Sequence, residues 1–159
     1  MNIKDEIRAQ KLAQRLELNE ERRNELSQAI QEKLIKSLLW PQAGSVALYA
    51  AVKGEVMTHR LFQKALESGL HVYFPRVEQG IKFYEVSSPD DLQRGSWSIL
   101  EPKISCPELA PDETLNLLVV PGIAFSKNGY RIGYGRSFYD RYLDTEGAPS
   151  VSAGLAYDF

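Results

Sequence analysis

The run Arg131-Ile132-Gly133-Tyr134-Gly135-Arg136-Ser137-Phe138-Tyr139-Asp140-Arg141 places two glycines and two arginines just ahead of a predicted helix. Glycine lets backbone amides approach phosphate oxygens with no Cβ in the way, and a helix start adds free N–H donors. Arginine neutralises charge as a planar donor fork. The segment therefore suits an anionic ligand, but it is neither of the two common nucleotide motifs. The chain has no Gly-x-x-x-x-Gly-Lys loop, and Phe138 stands where a dinucleotide fingerprint starting at Gly133 wants glycine. On spacing alone, a tight turn packed by its own aromatics accounts for the run as well as a phosphate site does.

Other reactive residue types offer less. Cys106 is the only cysteine, so no internal disulfide can form. It reads as an unreactive thiol in an acidic loop. His59 and His71 lack the spacing of a metal pair and read as structural. Trp40 and Trp97 read as packing residues.

Alternating helices and strands must position these groups. Ile3, Ile7, Leu12 and Leu16 give a rough apolar stripe to a first helix, and Leu26, Ile30, Leu34 and Leu38 give one to a second. Asn19 caps the second helix, followed by Glu20 and Glu21 at its positive end. Val46 to Ala50 reads as a buried strand, with a turn at Lys53-Gly54. A helix follows, capped by Thr58, buried through Leu61, Phe62, Ala65 and Leu66, and closed by Gly69. Val72-Tyr73-Phe74 then completes a βαβ unit with parallel strands. Further strands are expected at Lys82 to Val86, Leu115 to Val120 and Val151 to Tyr157, with a turn at Asn128-Gly129 and a helix from Arg136 to Asp144. Ser87 to Thr114, rich in Pro, Ser and acids, reads as loop.

At 159 residues, with 43% apolar and 25% charged side chains, the expectation is one globular α/β domain over residues 1–159. It would be a three-layer fold, with a largely parallel central sheet flanked by helices and ligands at the carboxyl ends of the strands. The net charge is −2, and residues 78–113 carry eight acidic against three basic side chains, which argues against nucleic acid as a partner. The longest apolar runs fall far short of the ~20 residues of a membrane span. A cytoplasmic monomer acting on small molecules is expected, with no membrane partner.

Longer strings carry more information. Val120-Pro121-Gly122-Ile123-Ala124-Phe125, Asn128 to Gly135 and Phe138-Tyr139-Asp140-Arg141-Tyr142-Leu143 together resemble the signature of the 5-formyltetrahydrofolate cyclo-ligase family, the 5,10-methenyltetrahydrofolate synthetases. The resemblance extends to Lys4-x-x-x-Arg8, Gly54-Glu55-Val56-x-Thr58, Phe74-Pro75-Arg76 and Glu101-Pro102, in the family's order. It implies an architecture similar to sugar isomerases and CoA transferases. The implied reaction converts 5-formyltetrahydrofolate and ATP to 5,10-methenyltetrahydrofolate, ADP and phosphate, with Mg²⁺ as cofactor.

Carried over by position, Lys4, Arg8, Arg131, Gly133, Tyr134, Gly135, Arg136, Ser137, Phe138 and Tyr139 look like ATP ligands. Ala50, Glu55 and the Tyr134 to Phe138 stretch (Tyr134, Gly135, Arg136, Ser137, Phe138) look like folate ligands, Asp140 the Mg²⁺ ligand, and Arg136 and Tyr139 the catalytic pair. Ser126, Ser137 and Met57 depart from the family pattern, and family members usually continue past the position of Phe159, so a missing C-terminal segment is expected. These departures keep a second reading open: a non-catalytic or weakly active folate- or nucleotide-binding paralogue of the same fold.

Overall fold

The structure is a computed structural model that describes residues 2–145 and 147–159. Helices α1 (Ile3–Glu17) and α2 (Glu20–Ile35) lead into β1 (Ser45–Ala47), α3 (His59–Glu67), β2 (His71–Glu78) and β3 (Gly80–Glu85). A small hairpin of β4 (Leu92–Arg94) and β5 (Leu100–Pro102) follows. After it come β6 (Leu117–Val120), the short hairpin β7 (Ala124–Phe125) and β8 (Arg131–Ile132), α4 (Phe138–Leu143) and β9 (Val151–Gly154).

The main sheet runs β3-β2-β1-β6-β9; β2, β1, β6 and β9 are mutually parallel, and β3 returns antiparallel at the edge. Both faces are covered, so β6 at the centre is apolar throughout, with all four of its residues buried. Strand alternation divides that burial. Val46, Val72, Leu117 and Val119 face α2 and α3, meeting Leu34, Leu61, Phe62 and Ala65. Ala47, Tyr73, Leu118 and Val120 face the other way, where Tyr139, Tyr142 and Leu143 of α4 pack on them. The expected mostly parallel α/β sheet with helices on both faces is the observed one.

Several local expectations change. In α1 the apolar stripe is not the inward face, since Ile3 and Leu16 are exposed while Arg15 is buried. Lys4, Arg8, Lys11 and Arg15 repeat at helical spacing, and this cationic stripe faces the body of the protein. Leu38 lies beyond the end of α2 and is fully exposed; Ser27, Gln31 and Leu34 are the residues that α2 buries. Ser87 to Thr114 contains the β4–β5 hairpin rather than only loop. The last strand ends at Gly154, not Tyr157.

Thr58 occupies the N-cap of α3 but its hydroxyl donates to the Tyr49 carbonyl at 2.6 Å instead of capping the helix. The buried Gln31 caps α3 from α2, its Oε1 accepting from Arg60 N at 2.9 Å and Leu61 N at 3.1 Å. A buried acceptor serving two helix-start donors is costly to remove. Gln31→Ala is expected to lower the stability by about 1–2 kcal/mol, read as a lower urea midpoint at unchanged m-value.

Candidate functional site

The carboxyl ends of β1, β2 and β6 open onto a cavity of about 460 Å³, within the range of small-molecule sites. Its walls come from α1, the turn after β1, the tip of the β4–β5 hairpin, and the glycine-rich segment that runs from β8 into α4. Every residue the sequence singled out for a ligand role lines it: Lys4, Arg8, Ala50, Glu55 and the set Arg131, Gly133 to Asp140.

Hydrogen bonds across the chain build this wall. Arg8 Nε donates to the Gly133 carbonyl at 2.8 Å and Arg8 also pairs with Asp5. Arg131 Nη1 donates to the Pro121 carbonyl at 2.9 Å, and its Nη2 meets Asp140 Oδ1 at 3.2 Å. Asn128-Gly129 makes the turn expected of it: Gly129 has φ 86°, and Ser126 N donates to the Tyr130 carbonyl at 2.9 Å. Ser126 Oγ accepts from Tyr130 N at 3.1 Å, so this serine supports the turn.

The phosphate-loop reading needs one correction. Helix α4 begins at Phe138 and has only six residues, so its dipole is a minor term beside the cations. Gly135 has φ +97°, a conformation open to glycine. Ser137 sits at φ 58°, ψ 22° and makes no side-chain cap for α4. The left-handed backbone costs a serine on the order of 1 kcal/mol, and its hydroxyl is not used by the helix.

Five cationic side chains (Lys4, Arg8, Lys53, Arg131 and Arg136) line the cavity against three carboxylates, Glu55, Glu101 and Asp140. Among the described residues Lys4, Lys53 and Arg136 have no carboxylate partner. The Arg136 guanidinium lies 4.1 Å from the centre of the Trp97 ring, and Lys53 Nζ lies 5.0 Å from that of Tyr134. Trp97, expected to be a packing residue, is 56% exposed and lines the cavity.

Glu55 is 5% exposed, with Oε2 accepting from Val52 N at 3.0 Å. Burial pushes its carboxyl up to about 7, against the opposing pull of that backbone N–H, Arg15, Lys53 and the Tyr134 hydroxyl. Burial also raises Tyr139, so its phenol keeps its proton throughout the physiological range. Asp140 is a half-exposed carboxylate on the cavity wall (53%). Among the described residues no three metal-ligating side chains cluster. A single carboxylate beside a cation-lined wall is a donor of the kind Mg²⁺ takes, since that ion uses one or two carboxylates and fills its shell with other oxygens and water.

A sequence model of the 5-formyltetrahydrofolate cyclo-ligase family matches residues 1–159. The chain belongs to this family. It is 30% identical over 136 residues to a probable 5-formyltetrahydrofolate cyclo-ligase of Caenorhabditis elegans, a match covering 80% of this chain and 66% of that one. It is 29% identical over 159 residues to the 5-formyltetrahydrofolate cyclo-ligase of Haemophilus influenzae, covering 97% and 85%. The NMR structure of Aquifex aeolicus 5,10-methenyltetrahydrofolate synthetase superposes with a TM-score of 0.82 at 35% identity, covering 98% of this chain and 78% of that one. A synthetase from Mycoplasma pneumoniae shares the fold, with a TM-score of 0.72 at 22% identity over 99% of this chain and 92% of that one.

Arg15, Lys53 and Trp97 escaped the sequence reading of this family site. Trp97 belonged to a segment read as structureless, and Lys53 to a bare turn. For Arg15 a signal existed in the four-fold cationic repeat of α1, hidden by a weaker apolar one.

The Glu55 carboxyl rises on folding from an ordinary 4.5 to about 7. The native state therefore holds this proton more tightly, and the stabilisation it gives at low pH is lost as pH rises between those values. Glu55→Gln keeps an acceptor for Val52 N without the titration. In melting curves from pH 5 to 8 the variant should gain on the parent as pH rises, by on the order of 3 kcal/mol at most.

Proposed function

We propose that this chain catalyses the ATP- and Mg²⁺-dependent closure of 5-formyltetrahydrofolate to 5,10-methenyltetrahydrofolate, releasing ADP and phosphate. The observation that carries the reading is the convergence of Lys4 and Arg8, Glu55, and Arg131 to Asp140 on one cavity rich in cations. The reaction asks for positioning and charge neutralisation more than for strong acids or bases.

Lys4, Arg8, Arg131 and the backbone from Gly133 to Tyr139 bind the triphosphate, with Ser137 and Phe138 shared between ATP and folate. Arg136 neutralises charge on the γ-phosphoryl as it passes to the formyl oxygen, which is a poor leaving group until phosphorylated. The neighbouring amine nitrogen then closes on the formyl carbon, and phosphate departs with the oxygen. Tyr139 keeps its proton and acts as a donor to that centre rather than as a base. Glu55, beside Ala50, accepts from the ring N–H groups of the pterin, and Tyr134 to Phe138 flank the folate. Asp140 would hold Mg²⁺, which supplies charge neutralisation between phosphate oxygens when bound. Asp140 would then give up its pairing with Arg131, whose guanidinium would be free for phosphate.

The reading includes a monomeric, cytoplasmic protein acting on small molecules. The lone, buried Cys106 fits a reducing compartment. No helix among the described residues is long and apolar enough to cross a membrane.

Purified protein with Mg²⁺, ATP and 5-formyltetrahydrofolate should develop the near-ultraviolet absorbance of the methenyl product. Asp140→Ala and Arg136→Ala should each lower turnover about a hundredfold or more. Ser137, a left-handed serine in the phosphate loop, favours the second reading of a binding protein without turnover. Calorimetric binding of both ligands with no methenyl absorbance would establish that reading instead.

A further inference from the structure

Arg15 is 4% exposed and sits on the inward stripe of α1, yet among the described residues it has no carboxylate within ion-pairing distance. Its guanidinium is spent on Tyr134 of the cavity wall and on Gly122, the residue after the wall's Pro121. Nη2 donates to the Gly122 carbonyl at 2.7 Å, and Nη1 donates to Tyr134 Oη at 3.1 Å. The hydroxyl of Tyr134 in turn helps hold the Glu55 carboxylate charged, as does the field of Arg15 itself. Tyr134 and Glu55 line the cavity; Arg15 does not. A buried cation costs several kcal/mol to desolvate, far more than packing at this position would require.

We propose that Arg15 is a positioning residue of the folate site, holding Tyr134 and Glu55 from behind in the arrangement that receives the pterin ring. This rests on the folate role proposed above for Glu55 and Tyr134. Arg15 holds the Tyr134 hydroxyl as an acceptor, which leaves that hydroxyl's own proton free for another acceptor. Every charged or titratable group bearing on Glu55 fits this order. Arg15 comes from α1, Lys53 from the preceding turn, Tyr134 from the glycine-rich segment, Tyr49 from the end of β1 and Tyr139 from α4. Lys53 is exposed and lies against the face of Tyr134, so Arg15 is the buried cation of the set.

The test is calorimetry with 5-formyltetrahydrofolate and, separately, with ATP, from about pH 6 to pH 9. It compares the parent chain with Arg15→Lys, Arg15→Met, Tyr134→Phe and the Met/Phe double variant. Arg15→Met should raise the folate Kd about tenfold near neutral pH and move the midpoint of its pH dependence upward by about one unit. The loss should shrink toward pH 9 as Glu55 regains its charge, while ATP affinity changes far less. Arg15→Lys keeps the charge and should keep the midpoint. Tyr134→Phe deletes the shared hydroxyl on a side chain that is 38% exposed, so it tests the link even if Arg15→Met fails to fold. It should weaken folate on its own and add little to Arg15→Met.

An unchanged folate Kd and midpoint in both Arg15→Met and Tyr134→Phe overturns the role, as does an equal, pH-independent loss for both ligands. A parent chain with no affinity for folate overturns the proposed function itself and the role with it. Folate binding by the parent with unaltered variants removes the role of Arg15 alone.

Discussion

At the carboxyl end of β6 the chain leaves the sheet, and two successive carbonyls, Pro121 and Gly122, lose their place in the ladder. Each is taken by a guanidinium: Pro121 by Arg131 at 2.9 Å, Gly122 by Arg15 at 2.7 Å. Unpaired buried carbonyls are costly, so some donor must come. Arginine has the particular merit that its second nitrogen reaches further, in one case to Asp140 and in the other to Tyr134. One strand end thereby fixes a helix, a hairpin and the glycine-rich segment in relation to one another. The bend itself tolerates no side chain, since a Cβ on Gly122 would stand 2.6 Å from Phe125 Cζ.

The cavity that results is electrostatically uneven. Cations from three chain segments line it, and a buried carboxylate with weakened acidity, Glu55, lies within the field of one of them, Lys53. With five cations against three carboxylates on its wall, the field favours an anionic ligand before any contact is made. The Arg131–Asp140 ion pair belongs to the same economy of charge, because it keeps a metal-suited carboxylate and a phosphate-suited cation mutually occupied until something better separates them.

The parallel sheet was legible because it is written in buried, four-residue apolar runs such as Leu117 to Val120, which few other structures accommodate. The site was legible because its residues lie in contiguous strings that resemble a known family. What escaped was written in long-range partnerships. Gln31 caps a helix that starts 28 residues later, a pairing no local pattern encodes. Arg15 carries no signal in hydrophobic periodicity, which weighs only apolar side chains. The β4–β5 hairpin was hidden by its composition of Pro, Ser and acids, which usually marks loop. Trp97 was misjudged with it, as its exposure depends on where that hairpin points.

The acidic stretch after that hairpin is also more than a connection. Along Pro107 to Leu109 it runs beside β3, with Glu85 N donating to the Pro107 carbonyl and Leu109 N to the Phe83 carbonyl, both at 2.8 Å. Tyr84 and Glu108 form an antiparallel bridge between those bonds. The outer rim of β3 would otherwise offer a row of free amides and carbonyls to any strand that met it. Covered by a short segment carrying a proline and a charge, it is a poor template for intermolecular pairing, and the chain thereby resists aggregation at this edge of its sheet.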